Sequence, residues 1–205
     1  MDMIVLDPSL KARIIQDRRE RRADRYDEVW NGIYVVSPII DNEHCELVAT
    51  VSRALYQALP EFDRDRVSMG VNVSDRNDDW EQNYRCPDVV VFLEGCSAED
   101  RDTHYYGGPD FAVEIVNRHD RSREKFDFYA KVNTRELLIV DRYPWALELY
   151  RLNASQAYVI VGRSTLEQPE ILESRVLPLS FQLGPGEERP AILVKHSDGV
   201  QTWSA

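Results

Sequence analysis

The sequence predicts an α/β fold of the α+β kind, a mixed central sheet flanked by helices, and three observations predict it. Continuous apolar runs at residues 89–93, 111–116 and 137–140 read as strands covered on both faces. Segments of helical period, 43–59 and 121–132, interrupt the strands in the order helix, strand, strand, strand, helix, strand, which calls for a sheet with helices on its faces. Two later segments, 147–150 and 158–161, read as an antiparallel extension toward the C-terminus.

Taken in order, Asp7-Pro8-Ser9 marks a helix start, with Asp7 as cap and Pro8 in the first turn. That helix is expected to reach about Arg25, and its sparse apolar positions (Leu10, Ile14, Ile15) suit an appended arm, residues 1–25. A single domain is expected over 26–205. Asn31-Gly32 is a hairpin turn leading into a strand at 33–36, which Pro38 ends. Leu47, Val48, Val51, Leu55, Ala58 and Leu59 form the apolar stripe of the first core helix, which Pro60 stops. Val67, Met69, Val71 and Val73 alternate as in one half-buried strand. Residues 75–85 are polar and read as a loop. Phe126, Tyr129, Ala130 and Val132 are the inward candidates of the second core helix. Asp198-Gly199 predicts a last hairpin joining 192–194 to 200–203.

The chain has 205 residues and a net charge of −11, so its overall field does not attract nucleic acid. Any such contact has to be local. Residues 1–25 carry seven basic and five acidic side chains, and a second basic group, Arg118, Arg121, Arg123 and Lys125, follows Glu114 closely. Both also read as solvated helix faces. No apolar stretch approaches the roughly 20 residues of a membrane span. The first residues lack the pattern of a signal peptide, and three cysteines without metal-ligand spacing argue against a disulfide framework. A cytoplasmic, reduced setting is expected.

Two acids stand at the ends of the apolar runs. Asp88 opens 88–93, and Glu114 lies inside 111–116. A buried carboxylate is costly unless it is paired, hydrogen-bonded or bound to metal. Two on neighbouring strands, followed by Lys125, suggest a site for a hard divalent cation. Each residue has a plainer reading. Asp88 caps a turn after Pro87, Glu114 pairs with Arg118 or Lys125, Lys125 is an exposed helix lysine, and Tyr129 is a core aromatic.

The succession Pro87-Asp88, Glu114-Ile115-Val116, Lys125-Phe126-Asp127-Phe128-Tyr129 and 136–141, with Glu28, Gly32, Ser37-Pro38 and Glu43-His44 upstream, resembles a large bacterial family of restriction-endonuclease-like proteins in the PD-(D/E)XK nuclease superfamily. The resemblance covers roughly residues 25–183 and rests on order and spacing together. It implies a restriction-endonuclease-like core and metal-dependent endonuclease action on DNA. Asp88 and Glu114 would hold Mg²⁺ or Mn²⁺ with the backbone carbonyl of Ile115, Lys125 would act in catalysis, and Glu28, His44 and Tyr129 would support the site. Arg118, Arg121 and Arg123 would contact nucleic acid, and a homodimer would cut both strands of a duplex. The chain departs from the superfamily pattern at Val116, where a lysine is usual, so that Lys125 is the expected substitute. It also has Asn117 where the nearer family has serine. The competing implication is a non-catalytic DNA-binding or protein-interaction module that keeps the nuclease fold. No Gly-x-Ser-x-Gly elbow, phosphate loop or His-Glu-x-x-His pattern is present, so hydrolases of other classes have no support.

Overall fold

A computed structural model describes residues 3–37, 39–59, 66–117 and 121–205. Pro38 and Pro60, the expected stops of two elements, lie outside them. In chain order the elements are β1 (Met3–Val5), α1 (Pro8–Glu20), β2 (Glu28–Trp30), β3 (Ile33–Val36), α2 (Asn42–Ala58), β4 (Arg66–Met69), β5 (Val73–Ser74), β6 (Tyr84–Arg85), β7 (Val89–Phe92), β8 (Glu99–Asp100), β9 (Tyr105–Tyr106) and β10 (Phe111–Val116). There follow α3 (Phe126–Lys131), β11 (Glu136–Arg142), β12 (Trp145–Leu152), β13 (Tyr158–Ser164), β14 (Leu172–Glu173), β15 (Leu179–Gly184), β16 (Ala191–His196) and β17 (Thr202–Ser204).

The central sheet has the order β13-β12-β11-β10-β7-β4. It is mixed. β10 and β11 run parallel, joined by a crossover through α3, and every other neighbouring pair in this sheet is antiparallel. Both its faces are buried, which explains the unbroken apolar runs. On one face Val89, Val91, Phe111, Val113, Ile115, Leu138 and Val140 pack with Leu47, Val51 and Leu55 of α2. On the other, Val90, Phe92, Ala112 and Leu137 pack with Phe128, Tyr129 and Val132 around α3. By strand alternation Glu114 shares the second face with Ala112.

A four-stranded antiparallel sheet, β14-β15-β16-β17, adds Leu172, Phe181, Ile192 and Val194 to the core around α2. The expected antiparallel extension is present. Strands β12 and β13 do continue the central sheet, but the strands beyond them form a sheet of their own. The predicted strand over 67–73 is also two strands. Gly70 takes φ +57, which breaks the ladder, and the chain passes from β4 in the central sheet to β5 in a third sheet. A side chain at Gly70 would also meet Tyr26, since a Cβ there lies 2.8 Å from the Tyr26 ring.

The third sheet has the order β1-β3-β2-β6-β5-β9-β8 and includes one two-residue strand, β6, from the segment read as a loop. The turn Asn31-Gly32 forms as predicted, with φ +49 and +83, and joins β2 to β3. Helix α1 stops at Glu20, earlier than expected, where Arg22 takes φ +55. β1 pairs with β3, Ile14 and Ile15 of α1 pack on Val5, Val29, Tyr34 and Val36, and Arg18 bonds Asp27 at 2.5 and 2.8 Å. Residues 3–20 are thereby tied to the hairpin. Among the described residues no helix is long and apolar enough to cross a membrane.

Candidate active site

The antiparallel register of β7 and β10 pairs Val89 with Val113, and Asp88, the residue before β7, bonds the backbone of Ile115 beside Glu114. Both carboxylates line one cleft of about 60 Å³, room for a small ion and a few waters. Asp88 is held from two sides. The Ile115 N–H donates to Oδ2 at 2.7 Å, and His44 Nε2 lies 2.9 Å from Oδ1. His44 sits in the first turn of α2, where its own N–H donates to the capping carboxylate of Asp41 at 2.8 Å. Its Nδ1 is buried without a hydrogen-bond partner among the described residues.

Glu114 is 4% exposed. The Lys125 ammonium donates to its two oxygens at 3.1 and 3.0 Å, and the Tyr129 hydroxyl donates to Oε1. Lys125 closes the 3₁₀ turn Ser122–Lys125 and Tyr129 belongs to α3, so the spacing of four brings both to one carboxylate. Burial pushes the Glu114 carboxyl up to about 8; Lys125 pulls it down, while Asp88 and Glu28 push it further up. Burial likewise raises the Tyr129 phenol well above its ordinary value.

Glu28 enters the same cleft from β2 of another sheet. Its Oε1 accepts from the Cys86 N–H at 2.9 Å and pairs with Lys125 at 2.9 Å, and its Oε2 accepts from Trp30 Nε1 at 2.6 Å. Asp27 serves the opposite side of the strand, where Arg18, Tyr34 and the Ser37 N–H converge on it. The pair Asp27-Glu28 thus divides into a scaffold acid and a cleft acid because neighbouring side chains on a strand face opposite ways.

The structure brings Asp88, Glu114, Lys125, Glu28, His44 and Tyr129 together. It places the arginines differently from one another. Arg121 lines the cleft, bonds Glu124 at 2.7 Å and lies over the Trp30 ring at 4.7 Å. Arg123 is engaged by Asp141 and by Glu148, at 2.5 and 2.6 Å. Arg118 lies outside the described residues. Three further residues shape the site without having been singled out in the sequence. Arg85, buried, stacks on Trp30 and Phe128 at 4.6 and 4.3 Å. Trp30 in turn fixes Glu28; the spacing Glu-x-Trp on a strand, which puts both on one face, was the available signal. Arg142 binds Asp41, Glu43 and Asn117, which joins the end of β11 to the start of α2 and gives Asn117 a structural partner.

The donor set fits a hard divalent cation. Its groups are carboxylate oxygens, and Mg²⁺ commonly binds one or two carboxylates while keeping several waters. Among the described residues, no three His, Cys, Asp or Glu side chains already surround a common point. The positive charge between Glu28 and Glu114 is supplied by Lys125.

The sequence model of the Uma2 family, described as "putative restriction endonuclease", matches residues 13–186. The chain is also similar in structure to a crystal structure titled as a "putative nuclease belonging to DUF820" from Anabaena variabilis. The TM-score is 0.55 at 14% identity, covering 72% of this chain and 80% of that one, a likeness of fold. No curated protein matches.

Proposed function

The chain belongs to the Uma2 family, and from that membership we propose that it is a metal-dependent endonuclease that hydrolyses DNA phosphodiester bonds at the Asp88–Glu114 centre. The observation that carries the reading is that the Asp88 and Glu114 carboxylates line one cleft, with an ammonium bonded to Glu114 and Asp88 tied to the next residue, Ile115. Asp88, Glu114 and the Ile115 carbonyl would hold Mg²⁺ or Mn²⁺. When bound, such an ion polarises a phosphodiester and lowers the pKa of water. Lys125 stands where a cation can stabilise negative charge developing on the phosphate. Tyr129 fixes the Glu114 carboxylate, and His44 and the Ile115 N–H fix that of Asp88. Arg121, which also lines the cleft, would meet a neighbouring phosphate.

The test is cleavage of DNA with Mg²⁺ or Mn²⁺, abolished by EDTA. Asp88→Asn and Glu114→Gln should each lower the rate by at least a hundredfold while leaving the unfolding transition cooperative. Cleavage surviving in the double variant would place the activity elsewhere. One observation favours a second reading, a non-catalytic DNA-binding or interaction module. Val116 replaces the usual lysine, and Lys125 is committed to two acids at once. Absence of cleavage across DNA substrates and both metals would select that reading.

A further inference from the structure

Lys125 is shared between two acids that are held in different ways. Its ammonium donates to both oxygens of Glu114, at 3.1 and 3.0 Å, and pairs with Oε1 of Glu28 at 2.9 Å. The lysine side chain is 12% exposed and each acid 4%, so the three groups form one desolvated cluster. Glu114 belongs to β10 and receives, besides Lys125, the Tyr129 hydroxyl. Glu28 comes from β2 in the third sheet and is fixed at both oxygens by scaffold N–H groups. The Cys86 N–H donates to Oε1 at 2.9 Å, and Trp30 Nε1 donates to Oε2 at 2.6 Å. Cys86 lies on the backbone that leads into Asp88, and the Trp30 ring is itself packed by Arg85 and Arg121, at 4.6 and 4.7 Å.

We propose that Glu28 is the positioning residue for Lys125, keeping its ammonium in the cleft when a divalent ion takes Glu114. The inference rests on the nuclease reading and adds a regulation of that same site, a lysine passed from one acid to the other as metal arrives. Lys125 covers both oxygens of Glu114, and a Mg²⁺–oxygen bond is only about 2.1 Å long, so the lysine has to yield at least one oxygen to the ion. The two cations also repel each other. An ammonium is strongly hydrated and its four-carbon stem is flexible, so with Glu114 as its sole partner it would swing out to water. Glu28 opposes that swing because its own place does not depend on the lysine. Its two N–H donors hold it whether or not Lys125 stays on Glu114. The same donors argue against Glu28 as a metal ligand, since Oε1 is already taken by Cys86 and Lys125. Lys125, still tethered at one acid, then has protons to offer a phosphate on which negative charge develops. Its commitment to two acids is the resting half of this arrangement.

The experiment reads the reactivity of the Lys125 amine in the full chain. A small acylating reagent is applied in EDTA or in saturating Mg²⁺, and acylation of Lys125 is followed by peptide mass spectrometry, with the exposed Lys131 as internal standard. The native chain should react slowly in both conditions, because one acid always holds the amine. Glu28→Gln keeps the volume and an acceptor for the Cys86 N–H. It should react slowly in EDTA, where Glu114 holds the lysine, and roughly tenfold faster in Mg²⁺, the worth of one charge-assisted hydrogen bond. In DNA cleavage Glu28→Gln should lower kcat about tenfold with KM little changed, and that loss should vanish in the Lys125→Ala background, as a double-mutant cycle requires of a residue acting through another. Trp30→Phe keeps the ring and removes the N–H that fixes Glu28, so it should shift both readouts the same way by less; it carries the comparison where circular dichroism shows Glu28→Gln misfolded. A Lys125 in Glu28→Gln that is equally shielded in Mg²⁺ and EDTA, one already exposed in EDTA, or a kcat loss that persists without Lys125 would overturn the proposal. Mg²⁺ binding by calorimetry and cleavage by the native chain separate the two failures. With both present, an unmoved Lys125 ends the role of Glu28 and leaves the nuclease reading standing, whereas absence of both ends that reading itself.

Discussion

Glu114 concentrates the chemistry of the site in one side chain. Its carboxyl is raised from the ordinary 4.5 to about 8, chiefly by burial. The folded chain therefore holds the Glu114 proton more tightly than the unfolded chain, and its share of stability is full below about pH 4.5. That share is lost as the pH rises through 8, so the metal-free protein should become less stable between pH 5 and 8. Urea unfolding in EDTA should show this slope, and Glu114→Gln should flatten it. A divalent ion needs the ionised form, so Mn²⁺ affinity should climb over the same interval and level off above it, with proton release measurable by calorimetry in two buffers. A pH-independent affinity would mean that Glu114 is not a ligand. Lys125→Ala should lower kcat by at least tenfold and change metal affinity less, if its role lies in the transition state. At this scale Asp88 and Glu114 stood out because acids in apolar runs are costly, whereas Lys125 entered through the family resemblance, in place of the lysine missing at Val116. Glu28 was faint because Asp27-Glu28 looks like any polar pair until the strand separates the two side chains.

The turn Ser122–Lys125 and the start of α2 show how elements aim these side chains. Arg123, one turn residue before Glu124-Lys125, reaches Asp141 of β11 and Glu148 of β12, so it pins the turn that carries Lys125. Arg123→Gln should lower kcat while leaving the salt slope of DNA binding unchanged. A slope reduced by about one would instead make Arg123 a phosphate contact. Arg142 has the same office for α2. Its guanidinium is 1% exposed and holds Asp41 and Glu43, both of which still reach water. Arg142→Ala should therefore cost about 1–3 kcal/mol, below the 3–5 kcal/mol of a fully buried pair, and should loosen His44 against Asp88. Chemical denaturation and the His44 chemical shift measure the two effects. The helix α2, the hairpin turn and the central strands were legible from period and turn residues. The two-residue strands β6, β8 and β9 were not, because pairing with distant partners defines them and no periodicity fits in two residues. The partners of Arg142 at positions 41 and 43 are about a hundred residues away, beyond any local signal.

At the scale of the whole molecule, the two edges of the central sheet differ. β4 has four residues and begins at Arg66, whereas β13 has seven and carries Val159, Ile160 and Val161 at 48%, 53% and 38% exposure. Successive aliphatic side chains on an edge strand without proline or lysine invite another strand. Antiparallel pairing of β13 with a second copy would cover them and satisfy the outward backbone groups through one two-fold contact. The expectation of a homodimer here rests on the edge itself. It also separates assembly from chemistry, since none of these three residues lines the carboxylate cleft. Sedimentation at micromolar concentration should show a dimer for the native chain. Ile160→Lys, which puts two like charges across the axis, should give a monomer whose cleavage rate per chain is retained. A native chain that sediments as a monomer would show that water alone covers β13. A dimer indifferent to Ile160→Lys would move the contact to another face.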